Sequence, residues 1–174
     1  MEPTVFLTKP TVELKSEYQE FYQEWKDSGE EMIPWVIGKD PANFPEMIQS
    51  LLDAEQGKNI PANWVPDSTF WLINKNKKII GAVNIRHRLT DKLFNSGGHI
   101  GYGICPSERK KGYATKLLSL ALEKARELGI QEALVVCDES NIGSAKTIMN
   151  NGGVPDTDYV MEDGNIIKRF WIYL

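Results

Sequence analysis

Apolar and polar positions follow two different rhythms along this chain. From Leu14 to Trp25 the residues Leu14, Tyr18, Phe21, Tyr22 and Trp25 recur at spacings of three and four, which predicts an amphipathic helix punctuated by Gly29 and Pro34. Met47, Ile48, Leu51 and Leu52 predict a second helical piece over Glu46–Ala54, inside a proline- and aromatic-rich stretch from Trp35 to Pro66. That stretch is too apolar for a disordered linker and reads as an ordered cover. A short first strand is expected at Val5–Thr8, closed by Pro10.

From Ser68 the rhythm changes. Thr69–Asn74 and Ile79–Leu89 flank the polar turn Lys75–Lys78 and predict an antiparallel hairpin. His99–Cys105 predicts a further strand, stopped by Pro106. Ala114, Leu117, Leu118, Ala121, Leu122, Ala125 and Leu128 give the cleanest helical stripe, over Tyr113–Leu128, with Gly129 as its end. Then follow a buried-type strand at Ala133–Cys137, a helix at Ser144–Asn150 closed by Gly152–Gly153, and a hairpin of Tyr159–Met161 with Ile166–Tyr173. Helices, antiparallel strands and then alternating strands and helices predict a mixed α/β (α+β) fold, its mostly antiparallel central sheet flanked by helices.

Composition narrows the function. With 174 residues the chain is one domain's worth, and 20 basic against 24 acidic residues give a net charge of −4. That balance argues against a nucleic-acid partner. No stretch is long and apolar enough to span a bilayer, and the N-terminus lacks a signal-peptide layout, so no membrane partner and a cytoplasmic location are expected. Cys105 and Cys137 have no CxxC partner or clustered histidines; no metal site is expected, and both read as buried small hydrophobes.

The chemistry concentrates in Ile104–Thr115. A strand ends at a proline, Arg109, Lys110 and Lys111 follow, and the small residues Gly112 and Ala114 lead straight into the long helix. Unpaired N–H groups and the dipole at a helix start make an anion site, which the cations reinforce and the small residues leave approachable. The competing reading of these residues alone is a solvated basic loop. A nucleotide-binding loop is disfavoured because Gly-x-x-x-x-Gly-Lys-Ser/Thr is absent.

Arg109-x-x-Gly112-x-Ala114 resembles the acyl-CoA pyrophosphate loop of the GNAT superfamily of N-acyltransferases. The surrounding order resembles it too: a hairpin upstream, a strand ending Ile104-x-Pro106, a buried strand, then Asn141-x-x-Ser144 opening a helix. The likeness runs over Ser68–Leu174, and Gly97–Tyr102 is similar to a bacterial branch of the superfamily. The resemblance implies a single N-acetyltransferase domain, with 1–67 shaping the acceptor cleft and 68–174 forming the acyl-CoA core. It implies acetyl-CoA as cofactor, main-chain groups of Tyr102 and Ile104 along its arm, and backbone N–H groups from Arg109, Lys110, Lys111, Gly112, Tyr113, Ala114 and Thr115 on its pyrophosphate. It also implies contacts from Asn141 and Ser144, although either Asn141 or Ser140 would equally serve as a helix cap.

The implied reaction is acetyl transfer to a primary amine of a small-molecule or amino-acid-like acceptor, by direct attack in a ternary complex, with a homodimer left open. Many family members place a proton-donating Tyr seven residues after the asparagine, and here that position is Ile148. His99 is then the candidate base by chemistry, with Tyr102 as candidate donor. Gly101 and Gly103, on the same strand face as His99, are expected to leave open space before the imidazole. Alternatively His99 is a buried, backbone-bonded histidine. Tyr173 and Asp138 are weaker candidates, and Arg86-His87-Arg88 reads either as a substrate-anion site or as a solvated strand face. Ile148 also motivates a second reading, a non-catalytic acyl-CoA-binding module of the same fold.

Overall fold

A computed structural model describes residues 4–174. Strands β1 (Val5–Thr8), β2 (Asp67–Asn74), β3 (Ile79–Arg86) and β4 (Ile100–Ile104) form an antiparallel sheet in the order β1-β2-β3-β4. Strands β5 (Glu132–Asp138), β6 (Val154–Val160) and β7 (Ile166–Tyr173) form a second antiparallel sheet in the order β5-β7-β6. The helices are α1 (Lys15–Ser28), α2 (Phe44–Glu55), α3 (Tyr113–Glu127) and α4 (Ile142–Asn150).

The apolar stretches Phe70–Ile73 of β2 and Ile79–Val83 of β3 follow from burial on both faces. On one side Leu72, Val83 and Ile85 meet Leu117, Leu118 and Ala121 of α3; on the other, Trp71, Ile73 and Ala82 meet the stripes of α1 and α2. Tyr18, Phe21 and Trp25 of α1 are all buried there, each contributing on the order of 1.5–3 kcal/mol of transfer free energy. β1 of the N-terminal part pairs with β2, so that part shares a sheet and a core with the rest.

Three expected boundaries move. β3 ends at Arg86 rather than Leu89, because the chain leaves the sheet for a π turn at Leu93–Gly97. Buried Arg169 pins that turn, donating from Nε and Nη2 to Phe94 O at 3.0 and 2.9 Å. β6 starts at Val154, well before Tyr159, and tolerates Pro155 because it is an edge strand. The helix expected at Ser144 starts at Ile142, since Asn141 caps it.

His99 hydrogen-bonds the two sheets to each other. His99 N–H donates to Leu134 O at 2.7 Å, and His99 Nδ1 accepts from Leu134 N–H at 2.9 Å. Gly98 makes this approach possible: its φ is 67°, and a Cβ there would stand 2.6 Å from Leu134 O. Beyond this junction β4 and β5 are not ladder partners, and a cleft opens beside β4.

Candidate active site

The cleft has a volume of about 610 Å³ and is walled by β4, the loop before α3, the start of α4 and the α1–α2 connection. Its floor follows from strand register. Arg86 N–H donates to His99 O and Cys105 N–H to Ile80 O, so odd-numbered residues of β4 direct their main chain at β3. The alternation of an antiparallel ladder then turns the N–H and C=O groups of Tyr102 and Ile104 outward, away from β3. Ile104 O is taken by Arg109 Nε at 3.2 Å.

The loop after β4 winds tightly. Lys110 and Gly112 both have left-handed backbone, at φ 61° and 84°, and Gly112 caps α3 without a side-chain hydrogen bond. A Cβ built on Gly112 meets nothing within 4 Å, so the space above this turn is open. The first-turn N–H groups of α3 have no helical partner. Open space, free donors and adjacent cations are what a pyrophosphate requires, and the residues present fit coenzyme A.

The cations of this loop are partly engaged. Arg109 makes a two-pronged pair with Glu30, at 2.6 Å from Nη2 and 2.8 Å from Nη1, and its guanidinium lies 5.1 Å from the Trp25 ring centre. Glu108 bridges Lys78 at 2.6 Å and Lys111 at 3.0 Å. Lys110 has no ion pair among the described residues.

At the inner end, Tyr102 Oη lies 2.7 Å from Ser144 Oγ. Burial, the largest influence, pushes the Tyr102 phenol up to about 12, against the opposing effect of Ser144. Asn141 Oδ1 accepts from Ser144 N–H at 3.1 Å, so the capping reading of Asn141 holds, while both residues also line the cleft. Ile148, at the family's tyrosine position, is completely buried in the core.

The sequence-derived candidates therefore divide. Tyr102, Ile104, Arg109, Lys110, Gly112, Tyr113, Ala114, Thr115, Asn141 and Ser144 line one cleft, with Lys111 in the same loop turned toward Glu108. His99 does not join them. It is 7% exposed, one ring nitrogen is spent on the β4–β5 junction, and burial, aided by Arg86, pulls its pKa down to about 4. The expected open space before it is filled: Pro34 and the Arg86 guanidinium pack on Gly101, and Ile33 O on Gly103. Tyr173 is exposed outside the cleft, and Asp138 accepts from Asn165 Nδ2 at 3.0 Å. Both cysteines are buried, as expected of small hydrophobes.

Trp25, Glu30, Glu31 and Ile33 line the cleft without having been singled out. Trp25 belongs to the α1 stripe, and periodicity alone gives such a residue to the core. The acidic pair after Gly29 was the available signal for the rest.

A family model of the acetyltransferase (GNAT) domain matches residues 5–154. No curated protein matches the chain in sequence. Among solved structures, a chimera of the spermidine N-acetyltransferase SpeG from Vibrio cholerae and hSSAT superposes with a TM-score of 0.65 at 15% identity, over 97% of this chain and 95% of that one. The microcin C7 self-immunity acetyltransferase MccE, in complex with acetyl-CoA and AMP, gives 0.66 at 17%, over 98% and 92%. An acetyltransferase from Salmonella typhimurium that modifies the N-terminal serine of a 50S ribosomal subunit protein gives 0.68 at 12%, over 98% and 95%. With a mixed fold of this kind and a family match across most of its length, the chain belongs to the GNAT acetyltransferases, acetyl-CoA-dependent enzymes that acylate amines.

Proposed function

We propose that this protein moves an acetyl group from acetyl-CoA to a primary amine of a small-molecule or amino-acid-like acceptor, by direct attack in a ternary complex. The observation that carries this reading is continuity: the N–H cradle from Lys110 to Thr115 leads along the outward main chain of β4 to the Tyr102–Ser144 pair. The cofactor supplies the acetyl group as a thioester. Backbone N–H groups of the loop hold the pyrophosphate, and the outward groups of Tyr102 and Ile104 hold the arm and polarise the carbonyl.

Tyr102 takes the role of proton donor to the departing sulfur. A phenol at about 12 stays protonated near neutral pH, and Ser144 fixes its rotamer. His99 we assign to the sheet junction, not to catalysis. The acceptor then gives its proton to water, and kcat/KM rises with pH toward the amine's own pKa without a plateau near 6.5. Two buried free thiols suit a reducing cytoplasm.

Structural neighbours act on spermidine, on microcin C7 and on a ribosomal protein, so they do not choose the acceptor. The test is incubation with acetyl-CoA and a broad amine panel while following free thiol, with CoA binding read by calorimetry. Thiol release that depends on an amine is expected; silence across the panel with no CoA binding overturns the reading. Tight CoA binding without turnover supports the non-catalytic acyl-CoA module, which buried Ile148 at the family's tyrosine position favours.

A further inference from the structure

Arg109 is committed on three sides within the cleft. Its Nε donates to Ile104 O at 3.2 Å, Nη1 and Nη2 stand 2.8 and 2.6 Å from the two carboxylate oxygens of Glu30, and its guanidinium lies over the Trp25 ring. Trp25, Glu30, Ile104 and Arg109 all line the same cleft. The side chain therefore runs from the cofactor loop along the outward edge of β4 to the α1–α2 connection. It lies on the carbonyl of Ile104, a group that the reading above gives to the arm of the acyl donor.

The arrangement is specific but exchangeable. The Glu30 carboxylate has no other partner among the described residues, and its hydrogen bond from Arg109 holds that carboxyl below its ordinary pKa. Yet the two side chains are 39% and 46% exposed, and a pair so placed is held weakly. The Trp25 indole under the guanidinium is buried with its Nε1–H unpartnered, so this corner of the cleft is incompletely satisfied. Arg109 immediately precedes the cradle of Lys110–Thr115, where a pyrophosphate offers more charge and more acceptor oxygens than a single carboxylate. Glu30 and a pyrophosphate then compete for one guanidinium.

We propose that Arg109 is a clasp that selects the acyl donor: the donor's pyrophosphate draws the guanidinium off Glu30 and Ile104 O, and only then does the pantetheine arm pair with β4. A thioester on a bare pantetheine arm has nothing to open the clasp and is rejected, so the donor must carry its nucleotide. This rests on the acetyl-transfer reading, which places the donor in this cleft, and adds the residue that sets donor specificity. The two halves of the donor are then coupled, each raising the affinity of the other by the same factor.

The experiment divides the donor in two. Pantetheine is titrated calorimetrically into the protein alone and into the protein saturated with ADP, which carries a pyrophosphate without the arm. Pantetheine should bind roughly tenfold tighter or more in the presence of ADP. Arg109→Met, which uncovers Ile104 O, should bind pantetheine alone more tightly than wild type does, and ADP should no longer improve it. Glu30→Gln loosens the clasp from its other end and should fall between the two. Pantetheine binding that is equal with and without ADP, or absent from both, overturns the proposal, as does coupling that survives Arg109→Met. Should Arg109→Met fail to fold, wild type and Glu30→Gln decide. Intact CoA that binds while its halves bind independently overturns the clasp and leaves the acetyl-transfer reading standing. Coupled halves with no amine-dependent release of free thiol from acetyl-CoA support the clasp and overturn that reading.

Discussion

Just ahead of β4, His99 ties the chain to β5 by two short hydrogen bonds, His99 N–H to Leu134 O and Leu134 N–H to His99 Nδ1. Three residues later Tyr102 faces a cleft of about 610 Å³, its main chain turned outward and its hydroxyl on Ser144. The five-residue strand and the residue before it thus present a closed end and an open end, each with a titratable ring. At the closed end the imidazole is spent on architecture, and being held neutral is what lets its Nδ1 accept from Leu134. At the open end the phenol keeps its proton and faces the cleft. Proximity to a predicted site does not make a residue catalytic; the direction of its lone pairs and donors does.

The largest effect is expected at the mouth of the open end. Gly112→Glu places a side chain at φ 84° and a negative charge in the cradle, and CoA affinity should fall by roughly two orders of magnitude or more, while circular dichroism remains that of the folded protein. Calorimetry checks this. Retained affinity would place the cofactor elsewhere.

Tyr102→Phe removes only a hydroxyl. We expect kcat to fall roughly hundredfold with CoA affinity within a few-fold of wild type, because the outward main chain of β4 is untouched. Loss of CoA binding in parallel with kcat would mean that the side chain positions the cofactor instead.

The closed end should respond through stability. His99→Gln leaves Leu134 N–H short of its acceptor and should cost about 1–3 kcal/mol in urea unfolding, with kcat at pH 8 within a few-fold of wild type. The folded imidazole titrates near 4, below its unfolded value of about 6.5, so between these values the unfolded chain binds more protons. Wild-type stability is therefore fully present above about 6.5 and is lost as pH falls toward 4, by up to about 3 kcal/mol. His99→Gln should flatten that slope. An unchanged slope would remove His99 as its source.

The smallest effect is expected at Glu30. Its pair with Arg109 is exposed on both sides, so Glu30→Gln should change stability by less than about 1 kcal/mol. Freed from Glu30, Arg109 has its guanidinium available to phosphate, and CoA affinity should rise a few-fold at low salt and less at high salt. A decrease would show that Glu30 orders the loop for the cofactor.

Much of the fold was legible because helical stripes and apolar runs report burial directly. The stripe of α3, the β2–β3 hairpin and the loop between β4 and α3 all follow from local pattern, and the short cationic run with Gly112 marked the cradle. What stayed hidden depends on where a side chain points after the sheets assemble. His99 and Tyr102 are three apart in sequence, and only the contact with Leu134 tells them apart. Arg86 looks like its neighbours in Arg86-His87-Arg88, yet Arg88 is exposed, His87 Nε2 lies 2.8 Å from Ser68 Oγ, and Arg86 turns inward against a glycine. Trp25 belongs to both a core stripe and the cleft wall, a double duty no periodicity encodes.

We infer acetyl transfer at the open end of β4, with Tyr102 as proton donor and His99 outside the chemistry. The direct measurement is kcat for wild type, Tyr102→Phe and His99→Gln at pH 8 with saturating acetyl-CoA and one accepted amine, each variant verified as folded and CoA-binding. A collapse is expected for Tyr102→Phe and near-wild-type turnover for His99→Gln. Turnover lost at His99→Gln and kept at Tyr102→Phe would contradict it.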